Sequence, residues 1–222
     1  MSNICILPMK SDSKRIPMKL FKEFCGKPLY EHVLEEVNKC PMIDKVYIST
    51  PDEWFINYFK DYNRKDYNRI KFIHRPKELA GDVELTEVLK HAAKEIVTRG
   101  GVDYEDSNII QIQLNKPLTK ASDIMECIKV FEDGDYDSLS TVQEIGTVIV
   151  GEHLESSRLS DAKYKSQAIC KIWRYGILMN SVDDYSYGRK EKHCYHKIAK
   201  HHIEIDDMED WRMAEALYKA GY

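Results

Sequence analysis

Four cations crowd one stretch near the start of the chain: Lys10, Lys14, Arg15 and Lys19. Ser11, Asp12 and Ser13 are interleaved with them, and Pro17 stiffens the exit. They follow an apolar run over 4–7 that reads as a buried strand ending at Pro8. Cations leaving the carboxyl end of a first α/β strand sit where a polyphosphate is held, with backbone N–H groups and Ser13 as added donors. A solvated loop would have the same composition. Near the other end, Glu204 and Asp206 lie two residues apart, so on a strand both carboxylates turn to one side. Asp207 and Glu209 follow, where acids in a first helical turn offset the helix dipole.

The elements that must position these groups are legible over the first 140 residues, where short apolar runs alternate with helical periodicity. Strands are expected over 4–7, 45–49, 71–74, 108–114 and 138–142. Helices are expected over 28–38, 52–62, 84–98 and 122–131, with Ser122 as N-cap and Asp123 in the first turn. This alternation predicts an α/β fold with a doubly wound, mostly parallel sheet. After Val142 the pattern changes. Short strands over 148–150 and 168–173, a last strand over 202–205 and a closing helix over 208–220 suggest one domain over 1–222, with 143–200 as an edge subdomain or dimer contact.

A chain of 222 residues carrying 33 basic and 37 acidic side chains has a formal charge of −4. That balance argues against general nucleic-acid binding, which needs a broad basic footprint. No apolar run is long enough to span a membrane. No charged-then-apolar leader opens the sequence. Six scattered cysteines without a Cys-x-x-Cys pair fit a reduced, cytoplasmic setting.

Five segments, in order, carry a resemblance. They are LPMKSDSKRIPMKL (7–20), FCGKPLYEHVLEEV (24–37), DKVYIST (44–50), HRPKELAGD (74–82) and IEIDDMEDWRMAEAL (203–217). Together they resemble the cytidylyltransferases that make CMP-activated acidic sugars, the CMP-N-acylneuraminate synthetase group. The resemblance implies a Rossmann-like nucleotidyltransferase fold that transfers CMP from CTP to an acidic sugar and releases pyrophosphate, working as a homodimer. It implies catalytic functions for Lys10, Lys19 and Arg75. It implies nucleotide contacts from Pro8, Met9, Ser13, Lys14, Arg15 and Gln113, and acceptor contacts from Lys116, Trp173 and Arg174. Glu204 and Asp206 stand where the family holds Mg²⁺, an ion that takes few protein carboxylates and shares its sphere with phosphate oxygens.

The chain also departs from that pattern. Ser11–Asp12 replaces a glycine pair, and glycines let a backbone approach phosphate closely. Lys10 replaces an arginine, keeping charge but losing bidentate geometry. Thr119 occupies another arginine position, and Glu204 replaces an aspartate. Most departures fall where the acceptor belongs. The expected acceptor is therefore a sialic-acid-like nonulosonate or a related acid, with a phosphonate, or a catalytically silent nucleotide-binding chain, as alternatives. Asp135-Tyr136-Asp137 has the spacing of a glycosyltransferase carboxylate pair, but it precedes a strand and reads as a solvated turn. The run 192–202 is rich in His and matches no zinc spacing; it reads as a solvated, mildly basic rim.

Overall fold

Along β1 (Ser2–Pro8), Ile4 and Ile6 turn to one face of the sheet while Cys5 and Leu7 turn to the other, and all four are fully buried. A strand that is apolar on both sides must be covered on both sides, which is the condition for a parallel sheet between helical layers. The computed structural model has that architecture. It describes residues 1–61, 69–100, 107–144, 164–165, 169–180, 192–198 and 202–222.

After β1 comes a two-residue-stranded hairpin, β2 (Glu23–Phe24) and β3 (Lys27–Pro28). Its turn residues Cys25 and Gly26 both have positive φ, 47° and 93°, as the right-handed twist of a tight hairpin demands. The chain continues through α1 (Leu29–Lys39), β4 (Lys45–Thr50), α2 (Glu53–Asp61), β5 (Ile70–His74), α3 (Leu85–Thr98), β6 (Ser107–Ile112), α4 (Ala121–Asp133) and β7 (Ser138–Glu144). Then follow β8 (Tyr164–Lys165), β9 (Cys170–Arg174), α5 (Tyr175–Asn180), β10 (His193–Lys197) and α6 (Met208–Lys219).

The sheet order is β10-β7-β9-β6-β1-β4-β5, with β8 added beside β7. β1 pairs in parallel with both β4 and β6, and β4 with β5. The chain thus builds outward from β1 in one direction and then returns to place β6 on its other side. The crevice beyond the carboxyl ends of β1 and β6 is the topological switch point, where α/β sheets bind ligands. Core side chains of α1, α2 and α4 cover the Cys5 and Leu7 face, and those of α3 and α5 cover the Ile4 and Ile6 face. Phe24, Leu29, Ile205 and Trp211 form a third cluster that ties α6 to the hairpin and to α1.

The sheet is mostly parallel, as expected, with β9 antiparallel to β6 and β7 and β8 antiparallel to β7. Two sequence expectations change. The segment 202–206 pairs in no ladder; Ile205 N–H donates to Asn115 O at 3.0 Å, which holds this segment beside the residues that follow β6. The N-cap of α4 is Lys120 rather than Ser122, because the Asp123 carboxylate accepts the Lys120 N–H at 3.0 Å. The expected strand over 148–150 lies outside the described residues.

Candidate active site

A cavity of about 470 Å³ opens at the switch point. Pro8, Met9, Lys10, Asp12, Ser13, Lys14, Arg15 and Lys19 from the first loop line it. Arg75, Gln111, Gln113, Asn115 and Asp206 line it from other segments. All four loop cations therefore reach one cavity, and so do Pro8, Met9, Ser13, Gln113 and Arg75.

The loop is held in place by charged groups outside it. Asp52, at the start of α2, accepts from Ser11 N–H at 2.6 Å and from Ser11 Oγ–H at 2.5 Å. Its own N–H donates to Thr50 Oγ1 at 3.1 Å. Arg75 follows β5 and is 4% exposed. Its guanidinium donates to Ser49 O at 2.6 Å and to Met9 O at 3.5 Å, so it ties the exits of β1 and β4 together. Burial lowers its pKa to about 10, which still leaves it charged at neutral pH. The resemblance implied a catalytic function for Arg75; the structure places it on the cavity lining with its guanidinium bonded to the Ser49 and Met9 carbonyls.

Across the mouth, Lys10 Nζ donates to Gly81 O at 3.2 Å. Lys14 forms an ion pair with Asp82. Their hydrogen bond raises the pKa of the Lys14 ammonium and lowers that of the Asp82 carboxyl. Both side chains are well exposed, so solvent screens the pair.

Opposite the loop stands Asp206. Lys19 Nζ donates to Asp206 Oδ1 at 3.1 Å and to Ile205 O at 2.7 Å, and Arg15 approaches Asp206 Oδ2 at 3.5 Å. The Asp206 backbone is fixed in turn: its N–H donates to Asp210 Oδ2 at 2.9 Å. Asp207 is the N-cap of α6 and accepts from Glu209 N–H at 2.8 Å and Asp210 N–H at 3.0 Å. Those bonds, Asp210 first, hold its carboxyl below the usual range. The acids after Asp206 thus cap a helix, as their position implied.

Glu204 does not join Asp206. Ile203 and Ile205 pack on the same cluster, but Asp206 lines the cavity and is held by Lys19 and Arg15, whereas the Glu204 carboxylate is engaged elsewhere. Glu204 Oε2 lies 3.3 Å from Lys116 Nζ, and Asn115 Nδ2 donates to Glu204 Oε1 at 3.4 Å. Lys116, expected to contact the acceptor, is 0% exposed and is not among the residues that line the cavity. Among the described residues no group of three or more His, Cys, Asp or Glu side chains gathers to hold a metal ion.

Trp173 and Arg174 lie at the wrong end of the sheet for acceptor binding. β9 is antiparallel, so Trp173 pairs with Ile109 and Arg174 with Asn108, at the amino end of β6. Trp173 is 4% exposed in the α3-side core. Arg174 donates to Tyr136 O at 3.1 Å and packs its guanidinium on the Phe131 ring. Sequence reasoning missed Asp52, Asp82, Gln111 and Asn115. Gln111 was visible as a polar residue inside the apolar run NIIQIQL, at the same-face spacing from Gln113. The Asp52 contact, in contrast, depends on tertiary approach.

A doubly wound sheet with a cationic loop and an opposing carboxylate at its switch point defines a nucleotidyltransferase-type architecture. The cytidylyltransferase family profile matches residues 4–218, and the chain belongs to that family. Pseudaminic acid cytidylyltransferase of Campylobacter jejuni is 23% identical, covering 100% of this chain and 98% of that protein. A 3-deoxy-manno-octulosonate cytidylyltransferase of Hydrogenovibrio crunogenus is 26% identical over 155 residues, 68% of this chain and 56% of that protein. A second, from Thermodesulfovibrio yellowstonii, is 26% identical over 142 residues and 52% of its length. The chain thus spans about half the length of these two relatives and nearly all of the first. CMP:2-keto-3-deoxy-manno-octonic acid synthetase, solved in complex with CTP, superposes with a TM-score of 0.71 at 14% identity, covering 100% of both chains. At that identity it shows the shared fold. No helix among the described residues is long and apolar enough to cross a membrane.

Proposed function

We propose that the chain transfers CMP from CTP to a hydroxyl of an acidic sugar and releases pyrophosphate. The observation that carries this reading is the convergence of Lys10, Lys14, Arg15 and Lys19 on one cavity at the switch point. The hydroxyl oxygen attacks the α-phosphorus, the bond from that phosphorus to the α,β-bridging oxygen breaks so that pyrophosphate leaves with that oxygen, and the hydroxyl proton passes to solvent. Charge builds on the departing pyrophosphate, and fixed cations stabilise it without reorganising during the reaction. Lys19 is the best placed of the four. It is held at 15% side-chain exposure by Ile205 O and Asp206, so its charge is partly desolvated and acts more strongly.

Mg²⁺ suits the reading because one cavity carboxylate plus substrate phosphates is a usual sphere for that ion. Asp206 would hold it, with Asp12 also on the cavity wall; Glu204, engaged by Lys116, would not. Bound there, the ion would neutralise phosphate charge. Every other part of the reaction assigned here falls to the chain's own side chains: Lys10 and Lys14 hold the outer phosphates, Lys19 faces the developing charge, and Arg75 keeps Met9 in place.

The acceptor is read as a sialic-acid-like or octulosonate-like sugar acid, since the relatives named above act on such acids. A cytoplasmic homodimer is part of the same proposal. Its six cysteines, all free thiols, suit a reducing compartment; sedimentation of the purified chain tests the dimer. Pyrophosphate release from CTP with a panel of sugar acids tests the activity. Folded protein that releases none with any acceptor or nucleotide overturns it. One observation favours a second reading, nucleotide binding without turnover: Asp12 brings negative charge to the cavity beside the phosphate loop. CTP binding by calorimetry with no pyrophosphate release would select it.

A further inference from the structure

Three amide side chains from one segment line the cavity besides its charged groups. Gln111, Gln113 and Asn115 line it at two-residue spacing along and beyond the end of β6. Asn115 is committed to Glu204 and Ile205 O. The Gln111 side chain differs. It is 1% exposed, and its Oε1 is buried with no hydrogen-bond partner among the described residues. Gln113 Oε1 is in the same condition.

A buried carbonyl without a donor costs about 1–3 kcal/mol, and native structures leave few of them. Gln111 pairs in register with Ile6 of β1, and its strand neighbour Ile109 belongs to the α3-side core. An apolar side chain would pack there at no such cost. An amide that weakens the fold and borders the cavity is the mark of a group awaiting a ligand donor.

We propose that Gln111 is a specificity-determining residue for the acceptor: its carboxamide receives a hydroxyl of a polyhydroxylated sugar acid seated against β6. The inference rests on the transferase reading above and names the wall on which its second substrate lies. Two features favour the acceptor on this wall. Phosphate oxygens accept and do not donate, so they belong with the loop cations; the nucleotide offers donors only on its ribose and base, while a polyhydroxylated sugar acid presents several hydroxyls that both donate and accept and match an amide. Lys171 stands directly opposite Gln111 in the β6–β9 ladder, on the same face of the sheet, and is 6% exposed. Its positive charge suits an acid on that side.

The experiment compares wild type with Gln111→Met, which keeps the length and removes the amide. Three quantities are read: the melting midpoint, the CTP dissociation constant by calorimetry without acceptor, and acceptor affinity by ligand-observed NMR. The acceptor probes are 3-deoxy-manno-octulosonate, an N-acylneuraminate and pseudaminic acid. The expected result is an unchanged or higher midpoint, CTP affinity within about twofold, and a roughly tenfold loss of affinity for the preferred acid. Equal acceptor affinity in the two proteins overturns the proposal. So does a loss confined to CTP, a fall in midpoint that accompanies the loss, or the failure of wild type to bind any of the three acids. Acceptor binding that depends on Gln111 while CTP is never turned over would instead overturn the transferase reading and leave the subsite standing.

Discussion

Lys19 Nζ and Asp206 Oδ1 lie 3.1 Å apart although 187 positions separate them in the chain. The pair joins the phosphate loop to the segment that precedes α6. Each partner has a second tether, Lys19 to Ile205 O and Asp206 N–H to Asp210, so their separation is fixed from both sides. If Lys19 faces the transferred phosphate, Lys19→Met lowers kcat by about 100-fold or more, the cost of losing one preorganised charge. Asp206→Asn keeps the shape and removes the carboxylate charge. It lowers kcat/KM for CTP at least tenfold and weakens the dependence of rate on Mg²⁺ concentration. Steady-state pyrophosphate release over a Mg²⁺ titration reads both.

Asp52 and Ser11 test whether the loop works without glycines. The Asp52 carboxylate takes both the N–H and the Oγ–H of Ser11, bonds worth about 1.5–3 kcal/mol when one partner is charged. Asp52→Asn raises the KM for CTP several-fold with a smaller change in kcat, because the loop loses its anchor while its cations remain. Ser11→Gly gives a milder form of the same change. The double variant is less than additive, with a coupling of about 0.5–3 kcal/mol as expected of residues in contact. Additive effects would mean that the anchor does not position the loop.

The parallel half of the sheet was readable because each strand is a short apolar run followed by helical periodicity. Strand starts at Lys45 and Ser138 and the helix starts near Leu29 and Leu85 fell within a residue or two of expectation. The cationic loop was readable because its residue types are uncommon after a buried strand. The far side of the site was not. Trp173 and Arg174 follow an apolar run like any other, and only the pairing register shows that β9 is reversed and carries them to the opposite end of the sheet. Glu204 and Asp206 have strand spacing, yet no ladder forms there, and a buried lysine engages Glu204 while Lys19 and Arg15 engage Asp206. Direction and pairing are tertiary properties; apolar periodicity encodes neither.

Glu204 tests whether the cavity needs a second carboxylate besides Asp206. Its partner Lys116 is fully buried, and a buried cation stripped of its counter-charge costs about 3–5 kcal/mol. Part of Glu204 remains accessible, so the lower end of that range applies. Glu204→Gln therefore lowers the urea midpoint with an unchanged m-value, and Lys116→Met in the same background recovers part of the loss by removing a buried charge whose pairing has been weakened. The Mg²⁺ dependence of pyrophosphate release stays as in wild type. A variant of full stability whose Mg²⁺ requirement rises would return Glu204 to the metal site.

His193 on β10 gives the fold an acid-sensitive point away from the cavity. Burial, then the nearby Lys171 charge, lowers its pKa to about 4. Its Nδ1 lies 2.8 Å from Ser138 Oγ, and its ring meets Tyr195 edge-on. An unfolded histidine titrates near 6.5. Between that value and about 4 the unfolded chain therefore binds a proton that the folded chain refuses. In that window stability rises with pH, so acidification from pH 7 toward pH 4.5 lowers it. His193→Asn can still accept from Ser138 Oγ–H and cannot titrate. Its melting midpoint falls less than that of wild type between pH 7 and pH 4.5, although it starts lower because a packed ring is lost. Parallel curves for the two proteins would show that His193 is protonated in the fold as readily as in the unfolded chain.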